Sequence, residues 1–258
     1  MSDILLETKA LTCAFGGLKA VNNIDFQLKR GSIQGLIGPN GAGKTTFFNI
    51  LTGLYKPTAG RVLLEGKEIS GKKPSDIAKL GICRTFQNLQ LFSDMSVLDN
   101  LVVSQNLRYH INVFDSLLRT PRYHSTEKAM YERAEAILEF IGLSEHRENL
   151  PKNLSYGHQR LLEIARAMAT EPSIILLDEP AAGMNASEID ELMEIIKKVR
   201  DAGITIVLIE HNMKCAMTVC EFITVMESGL KIAEGVPEEI QNNKAVISAY
   251  LGKRSAHA

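Results

Sequence analysis

A chain of 258 residues, 45% hydrophobic and 23% charged, has the size and ordinary globular composition to build one large domain around a substantial core. Its 29 Lys and Arg against 30 Asp and Glu leave a net charge of −1, without the basic excess of proteins that grip a nucleic-acid backbone. No run reaches the roughly 18–20 apolar residues that span a bilayer, and residues 1–4 lack the basic segment and apolar core of a secretory signal, so a soluble cytoplasmic protein that can dock on a membrane partner is expected.

The first seventy or so residues predict short strands and turns. Ile24, Phe26 and Leu28 alternate with polar neighbours, the period of a half-buried strand, and Arg30-Gly31 closes that run. Residues 34–37 form a short strand that leads into Gly38-Pro39-Asn40-Gly41-Ala42-Gly43, and a helix follows over 44–51. Residues 62–64 and Glu65-Gly66 read as further strand and turn. From about residue 88 to 150 the pattern becomes helical, with Ala134, Ile137, Leu138 and Ile141 on one helix face. An irregular stretch over 106–125 precedes that helix and carries Arg108, Tyr109, His110, Arg119, Pro121, Arg122 and His124, a basic-aromatic mixture that suits contact with a membrane protein or lipid headgroups and equally a solvated insertion.

Residues 174–177 and 204–209 are continuous apolar runs typical of parallel strands covered on both faces. Between them, Ser187-x-x-Asp190 suggests a capping box that opens a helix with Ile189, Leu192, Met193, Ile196 and Val199 inward. Residues 222–226, a Glu227-Ser228-Gly229 turn and residues 230–233 predict a late hairpin. Cys13, Cys83, Cys215 and Cys220 have no paired metal-ligand spacing and read as small buried hydrophobes; Met213, Met217 and Met226 read as core.

Two segments carry chemistry. Gly38-Pro39-Asn40-Gly41-Ala42-Gly43-Lys44-Thr45 fits G-x-x-x-x-G-K-[ST], with Thr46 next, and it sits between an apolar strand and a helix as that loop requires. Glycines let the backbone fold around an anion, and the helix N-terminus adds its positive dipole end. Lys44 is placed to reach the β- and γ-phosphates of a bound nucleotide, and the Thr45 hydroxyl to bind Mg²⁺. The second segment ends a buried strand in Asp178-Glu179, where ligands of open α/β sheets bind. Asp178 suits Mg²⁺ through its water shell, and Glu179 suits orienting and polarising an attacking water.

The order of these and further motifs resembles the ATP-binding cassette family over nearly the whole chain, the phosphate loop being its Walker A motif. Leu154-Ser155-Tyr156-Gly157-His158-Gln159 is similar to the family's signature, usually Leu-Ser-Gly-Gly-Gln-Gln; Gln87 after Arg84-Thr85-Phe86 resembles its glutamine loop. Ala182-Gly183-Met184-Asn185 stands where the family usually has Ser-Ala-Leu-Asp, and His211 after Glu210 resembles the switch histidine. The resemblance implies an α/β fold: a P-loop NTPase core with a mostly parallel sheet, an N-terminal antiparallel β subdomain and an inserted α-helical subdomain. It divides the chain into a β subdomain plus RecA-like core over 1–87 and 160–258, with the helical signature subdomain at 88–159.

It further implies ATP and Mg²⁺ as ligands, Glu179, His211 and Gln87 as catalytic, Thr45, Gln87 and Asp178 toward the metal, and Phe15 against adenine. Ser155 and Gly157 are implied to meet the γ-phosphate held by a second cassette, in a pair closed head to tail. Ser155 also suits capping the next helix, whose apolar face includes Leu161, Leu162, Ala165 and Met168. Tyr156 and His158 depart from the signature. Asn185 replaces an aspartate in the loop between paired subunits, from which altered coupling is expected.

Residues 15–22, 181–185, 106–125 and 247–252 together are similar to the larger of the two cassette subunits of high-affinity branched-chain amino-acid importers. That implies a partner cassette, two membrane permeases, an extracytoplasmic solute-binding protein and a peripheral position on the cytoplasmic face of the inner membrane. Residues 88–100, with Phe92, Met95 and Val97, fall where such cassettes receive a permease helix. The same branch includes urea and amide importers. A DNA-directed cassette ATPase lacks support from long coiled coils, zinc elements or charge, and retention of Lys44, Asp178, Glu179 and His211 argues against a subunit without turnover.

Overall fold

The computed structural model describes residues 3–109, 120–211 and 213–251. Two long strands, β1 (Ile4–Phe15) and β2 (Leu18–Lys29), pair antiparallel and, with β4 (Ala59–Leu64) and β5 (Lys67–Glu68), form a four-stranded sheet in the order β2-β1-β4-β5. A second sheet of six strands runs β10-β9-β3-β8-β7-β6, built from β3 (Ile33–Ile37), β6 (Ile82–Arg84), β7 (Ile174–Asp178), β8 (Thr205–Glu210), β9 (Phe222–Glu227) and β10 (Leu230–Gly235). All its pairings are parallel except β9–β10. That hairpin closes on Ser228 (φ 49°) and Gly229 (φ 80°), two left-handed residues as a type I′ turn requires.

The apolar runs of β3, β7 and β8 sort by alternate residues onto two faces. Leu36, Ile174, Leu176, Val207 and Ile209 join the first core, with Phe26 of β2 and Phe47 of α1 (Lys44–Leu51). Ile33, Ile37, Ile175, Leu177, Ile206 and Leu208 join the second, under helices. These are α3 (Val97–Ser104), α4 (Pro121–Phe140), α5 (Tyr156–Ala169), α6 (Ala186–Asp201) and α7 (Met213–Val219); α2 (Pro74–Lys79) packs elsewhere, with Ile77 in the first core. Full burial of each such Leu, Ile or Phe stabilises by about 2 kcal/mol. Two short helices, α8 (Pro237–Gln241) and α9 (Lys244–Leu251), close the described chain.

The described residues of the segment 88–159 share the second core: Val97, Leu101, Ala134, Leu138 and Leu154 lie in one cluster with Ile175 and Leu208. Helix α5 runs through residues 159 and 160, so it belongs to both sides of the division drawn there.

Local structure differs from the sequence expectation in three places. The capping box of α6 is Asn185 with Glu188, not Ser187 with Asp190: Asn185 Oδ1 accepts from Glu188 N at 3.1 Å, and Glu188 Oε2 from Asn185 N at 3.0 Å. Asn is as good a cap as Ser, and here it comes two residues earlier; Ser187 Oγ donates to Asn185 Oδ1. Residues 121–125 are helical rather than irregular, because Thr120 accepts from Tyr123 N and Pro121 occupies the first helical position, where its missing N–H costs nothing. Helix α3 starts only at Val97, capped by Ser96, so residues 88–96 are irregular chain with one turn at 93–94. Arg108 is tied to the C-terminal carbonyls of α5, Nε to Thr170 O at 3.0 Å and Nη2 to Glu171 O at 2.5 Å; residues 110–119 and Gly252 lie outside the described residues. Among the described residues no helix is long and apolar enough to cross a membrane. None of the four cysteines is in a disulfide among the described residues, and Cys13, Cys215 and Cys220 are buried.

Candidate active site

The phosphate loop joins the end of β3 to α1, and its glycines are held by neighbours rather than by loop composition alone. Gly38 (φ 153°) and Gly43 (φ 101°) occupy backbone conformations that L side chains rarely adopt. An added Cβ at Gly38 would also collide with the Met226 carbonyl, and one at Gly43 with the Ala20 carbonyl. The β9–β10 turn braces the loop from below, Gly229 N donating to Ala42 O and Asn22 N to Gly229 O. Lys44 is buried, with Nζ donating to Gly38 O at 2.7 Å and Pro39 O at 3.2 Å.

Above the loop is a cavity of about 390 Å³ lined by residues 40–46, Ala20, Gln87, Glu179 and His211. Residues more than a hundred positions apart converge here because β3, β7 and β8 are adjacent parallel strands whose C-terminal ends deliver the phosphate loop, Asp178-Glu179 and His211 to one edge. Glu179 has φ 50°, a left-handed conformation that costs a non-glycine residue about 1 kcal/mol. Its Oε2 accepts from Gln87 Nε2 at 3.1 Å and lies 3.6 Å from His211 Nδ1. A carboxylate flanked by an amide donor and an imidazole can orient a water for in-line attack.

Asp178 lies behind this wall and does not line it. Its Oδ2 meets Arg84 Nη2 at 2.5 Å, with side chains only 6% and 5% exposed. Arg84 Nη1 also donates to Asn49 Oδ1 at 2.6 Å, and the guanidinium carbon lies 5.5 Å and 5.2 Å from the Phe48 and Phe86 ring centroids. Sequence reasoning used Arg84 only as a motif neighbour. Its signal was chemical: a lone arginine ending a buried strand needs a buried acceptor. Glu210 was likewise passed over. It is buried, and its Oε1 accepts the Ala181 N–H at 3.1 Å, fixing the turn after Glu179.

The remaining expected residues stand outside the cavity. Phe15 ends β1, is 48% exposed and packs edge to face on Tyr55, ring centroids 5.3 Å apart. Ser155 caps α5, its Oγ accepting from His158 N at 3.2 Å, as its place before the apolar run predicted. The N-terminal N–H groups of α5 are partly occupied: Gly157 N donates to Glu188 Oε1 at 3.3 Å, and the Glu188 side chain fills the space a Cβ at Gly157 would need.

The hydroxyl of Thr45 at an exposed position, beside the cavity, and the buried Asp178 carboxylate are hard oxygen donors of the kind Mg²⁺ selects. The glycine cradle under Lys44 suits a phosphate chain.

Comparison with known proteins agrees with this geometry. The model of the ABC transporter family matches residues 21–182, and that of the branched-chain amino acid ATP-binding cassette transporter matches residues 231–256. The high-affinity branched-chain amino acid transport ATP-binding protein LivG of Escherichia coli (strain K12) is 48% identical over 254 residues, covering 98% of this chain and all of that protein. The crystal structure of the ADP conformation of an ATP-binding cassette of an ABC transporter superposes with TM-score 0.86 at 32% identity, covering 97% of this chain and 100% of the other. The dimeric structure of a bacterial ABC transporter cassette superposes with TM-score 0.76 at 25% identity, over 90% of this chain and 99% of the other. A phosphate loop, an acidic strand end and a histidine gathered at one sheet edge, in a chain matched end to end by a transport ATP-binding protein, place it plainly: it belongs to the ABC transporter family, as an ATP-binding and ATP-hydrolysing cassette.

Proposed function

We propose that this cassette is the ATPase subunit of an importer for branched-chain amino acids. For the chemistry, what supports this reading is one cavity that joins the phosphate loop to Gln87, Glu179 and His211. For the cargo, it is the end-to-end likeness to the LivG protein together with the C-terminal match.

In this reading residues 38–46 hold the nucleotide. Gly38, Pro39, Asn40, Gly41, Ala42 and Gly43 wrap the phosphates, all but Pro39 with a backbone N–H to offer. Lys44 exchanges its Gly38 and Pro39 carbonyl partners for phosphate oxygens, and Thr46 lies at the same helix N-terminus. Phe15, at the tip of the β1–β2 hairpin, stacks on adenine with Tyr55 behind it. Thr45 and Gln87, with Asp178 through the water shell, would hold Mg²⁺, which would supply charge neutralisation for the phosphates. Glu179 takes a proton from the attacking water while Gln87 and His211 orient the carboxylate and the water between them. Exclusion of bulk water falls to a second cassette, whose Ser155 and Gly157 helix N-terminus covers the γ-phosphate. Removal of that phosphate by hydrolysis releases the link and reopens the pair.

The partners are then a second cassette, membrane permeases that place this chain on the cytoplasmic face of the membrane, and through them a solute-binding protein; no nucleic acid is involved. Exposed Phe86, Phe92 and Met95 supply an apolar surface for a permease helix. Reconstitution of the chain with its permeases and binding protein in proteoliposomes tests the whole. ATP hydrolysis should rise several-fold with leucine, isoleucine or valine. Stimulation by urea or amides in their place would refute the cargo assignment.

A further inference from the structure

Tyr156, where the signature usually has glycine, is tied into a cluster that reaches the glutamine loop. Arg160, one turn along α5, is 3% exposed. Its Nη2 donates to Tyr156 Oη at 2.7 Å and to Gln87 O at 2.5 Å, and its Nη1 to Phe86 O at 3.0 Å and Glu163 Oε2 at 3.1 Å. The guanidinium carbon lies 5.2 Å from the Tyr156 ring centroid. Glu163 Oε1 in turn accepts the Phe86 N–H at 3.1 Å.

An arginine and a glutamate spaced i,i+3 on one helix can neutralise each other without help. Here they also hold three backbone groups of two consecutive residues in a segment more than seventy positions earlier. Those residues lead directly to the Gln87 amide, which donates to Glu179. A planar guanidinium with fixed donors can serve several acceptors at once; a lysine ammonium on a flexible stem cannot reproduce that fork. The tyrosine hydroxyl, bonded to the same nitrogen that holds Gln87 O, sets the rotamer of the guanidinium. A glycine there leaves Arg160 without this contact and without the ring beneath it.

We propose that Tyr156, Arg160 and Glu163 are positioning residues for ATP hydrolysis, forming a latch that makes the location of the Gln87 amide depend on the orientation of α5. Because Ser155 stands at the N-terminus of that helix, the latch ties the face offered to a partner's nucleotide to the residue that contacts Glu179 over the chain's own. This rests on the roles of Gln87 and Ser155 in the preceding section.

A double-mutant cycle on ATP hydrolysis by the full chain tests it. Arg160→Lys should lower kcat about tenfold while ATP KM stays within about twofold, since transition-state geometry and not nucleotide binding is affected. In a Gln87→Asn background, where the shortened amide no longer reaches Glu179, Arg160→Lys should lower kcat little further. Tyr156→Phe keeps the ring and fold and should give a smaller fall with the same non-additivity. It should also speed hydrogen exchange of the Phe86 amide several-fold, which a rotamer lost elsewhere would not do. Independent effects that multiply, or unchanged exchange at Phe86, overturn the latch. A wild-type kcat for Gln87→Asn would instead overturn the role of Gln87 itself.

Discussion

Replacement of Arg84 by methionine isolates the energetics of the Asp178 carboxylate. The two side chains meet at 2.5 Å at 5% and 6% exposure, so the pair is held almost out of water. Removing one partner of such a pair leaves an uncompensated buried charge, at a cost of about 3–5 kcal/mol. The bond to Asn49 Oδ1 is lost as well. Methionine fills the space between Phe48 and Phe86 and regains about 1 kcal/mol through sulfur–aromatic contact. We therefore expect Arg84→Met to destabilise the chain by about 3 kcal/mol. Asp178→Asn added to it should return roughly 2 kcal/mol, because a neutral amide needs no counter-charge. The assay is urea unfolding of the two single variants and the double, followed by circular dichroism with the denaturant slope held common. If the single effects add within about 0.5 kcal/mol, no buried charge pair exists at this site and the argument fails.

Glu179→Gln should keep ATP affinity within about twofold while lowering kcat by about 10²–10⁴, as removal of a general base does; wild-type turnover would remove Glu179 from that role. Gly43→Ala forces a Cβ against the Ala20 carbonyl at φ 101°, so both the melting temperature and ATP affinity should drop; an unperturbed variant would mean the loop is not braced by β2. Asn185→Ala should cost about 1 kcal/mol in thermal unfolding by loss of the α6 cap, whereas Ser187→Ala should cost less. Burial pushes the Cys220 thiol up to about 12, so in the native chain it should alkylate far more slowly at pH 8 than after unfolding. Its folded value lies above the unfolded one, so the stability it contributes is complete below the unfolded thiol pKa, near pH 8.5, and is lost as pH rises toward 12. Cys220→Ala should flatten that alkaline decline.

Much of the fold and site was legible in the residues because each signal was local or periodic. Continuous apolar runs at 174–177 and 204–209 announced central parallel strands, and both are buried but for the half-buried Ile204 that precedes its strand. The phosphate loop was recognisable because few residue types tolerate its backbone, and the acidic pair because it ends such a strand. Less legible were caps decided by competition between neighbours, as between Asn185 and Ser187, and the start of α4, where Pro121 reads equally as a loop residue or a first helical position.

What the sequence by itself determined was therefore the chemistry within reach: a phosphate cradle, a carboxylate pair, a glutamine and a histidine, in order along one chain. Only the tertiary structure decided which of these meet. Parallel neighbours β3, β7 and β8 bring residues 41–46, Glu179 and His211 to one cavity, while Asp178, one residue from Glu179, turns away to a buried arginine. Asp178 ends β7, while Glu179 follows it with a left-handed φ of 50° that turns the chain, so the two consecutive side chains part, and no pattern in the sequence names the partner waiting for each. Arg84 and Arg160 looked like ordinary charges until folding buried them, and a buried guanidinium acquires its meaning only from the acceptors that folding supplies.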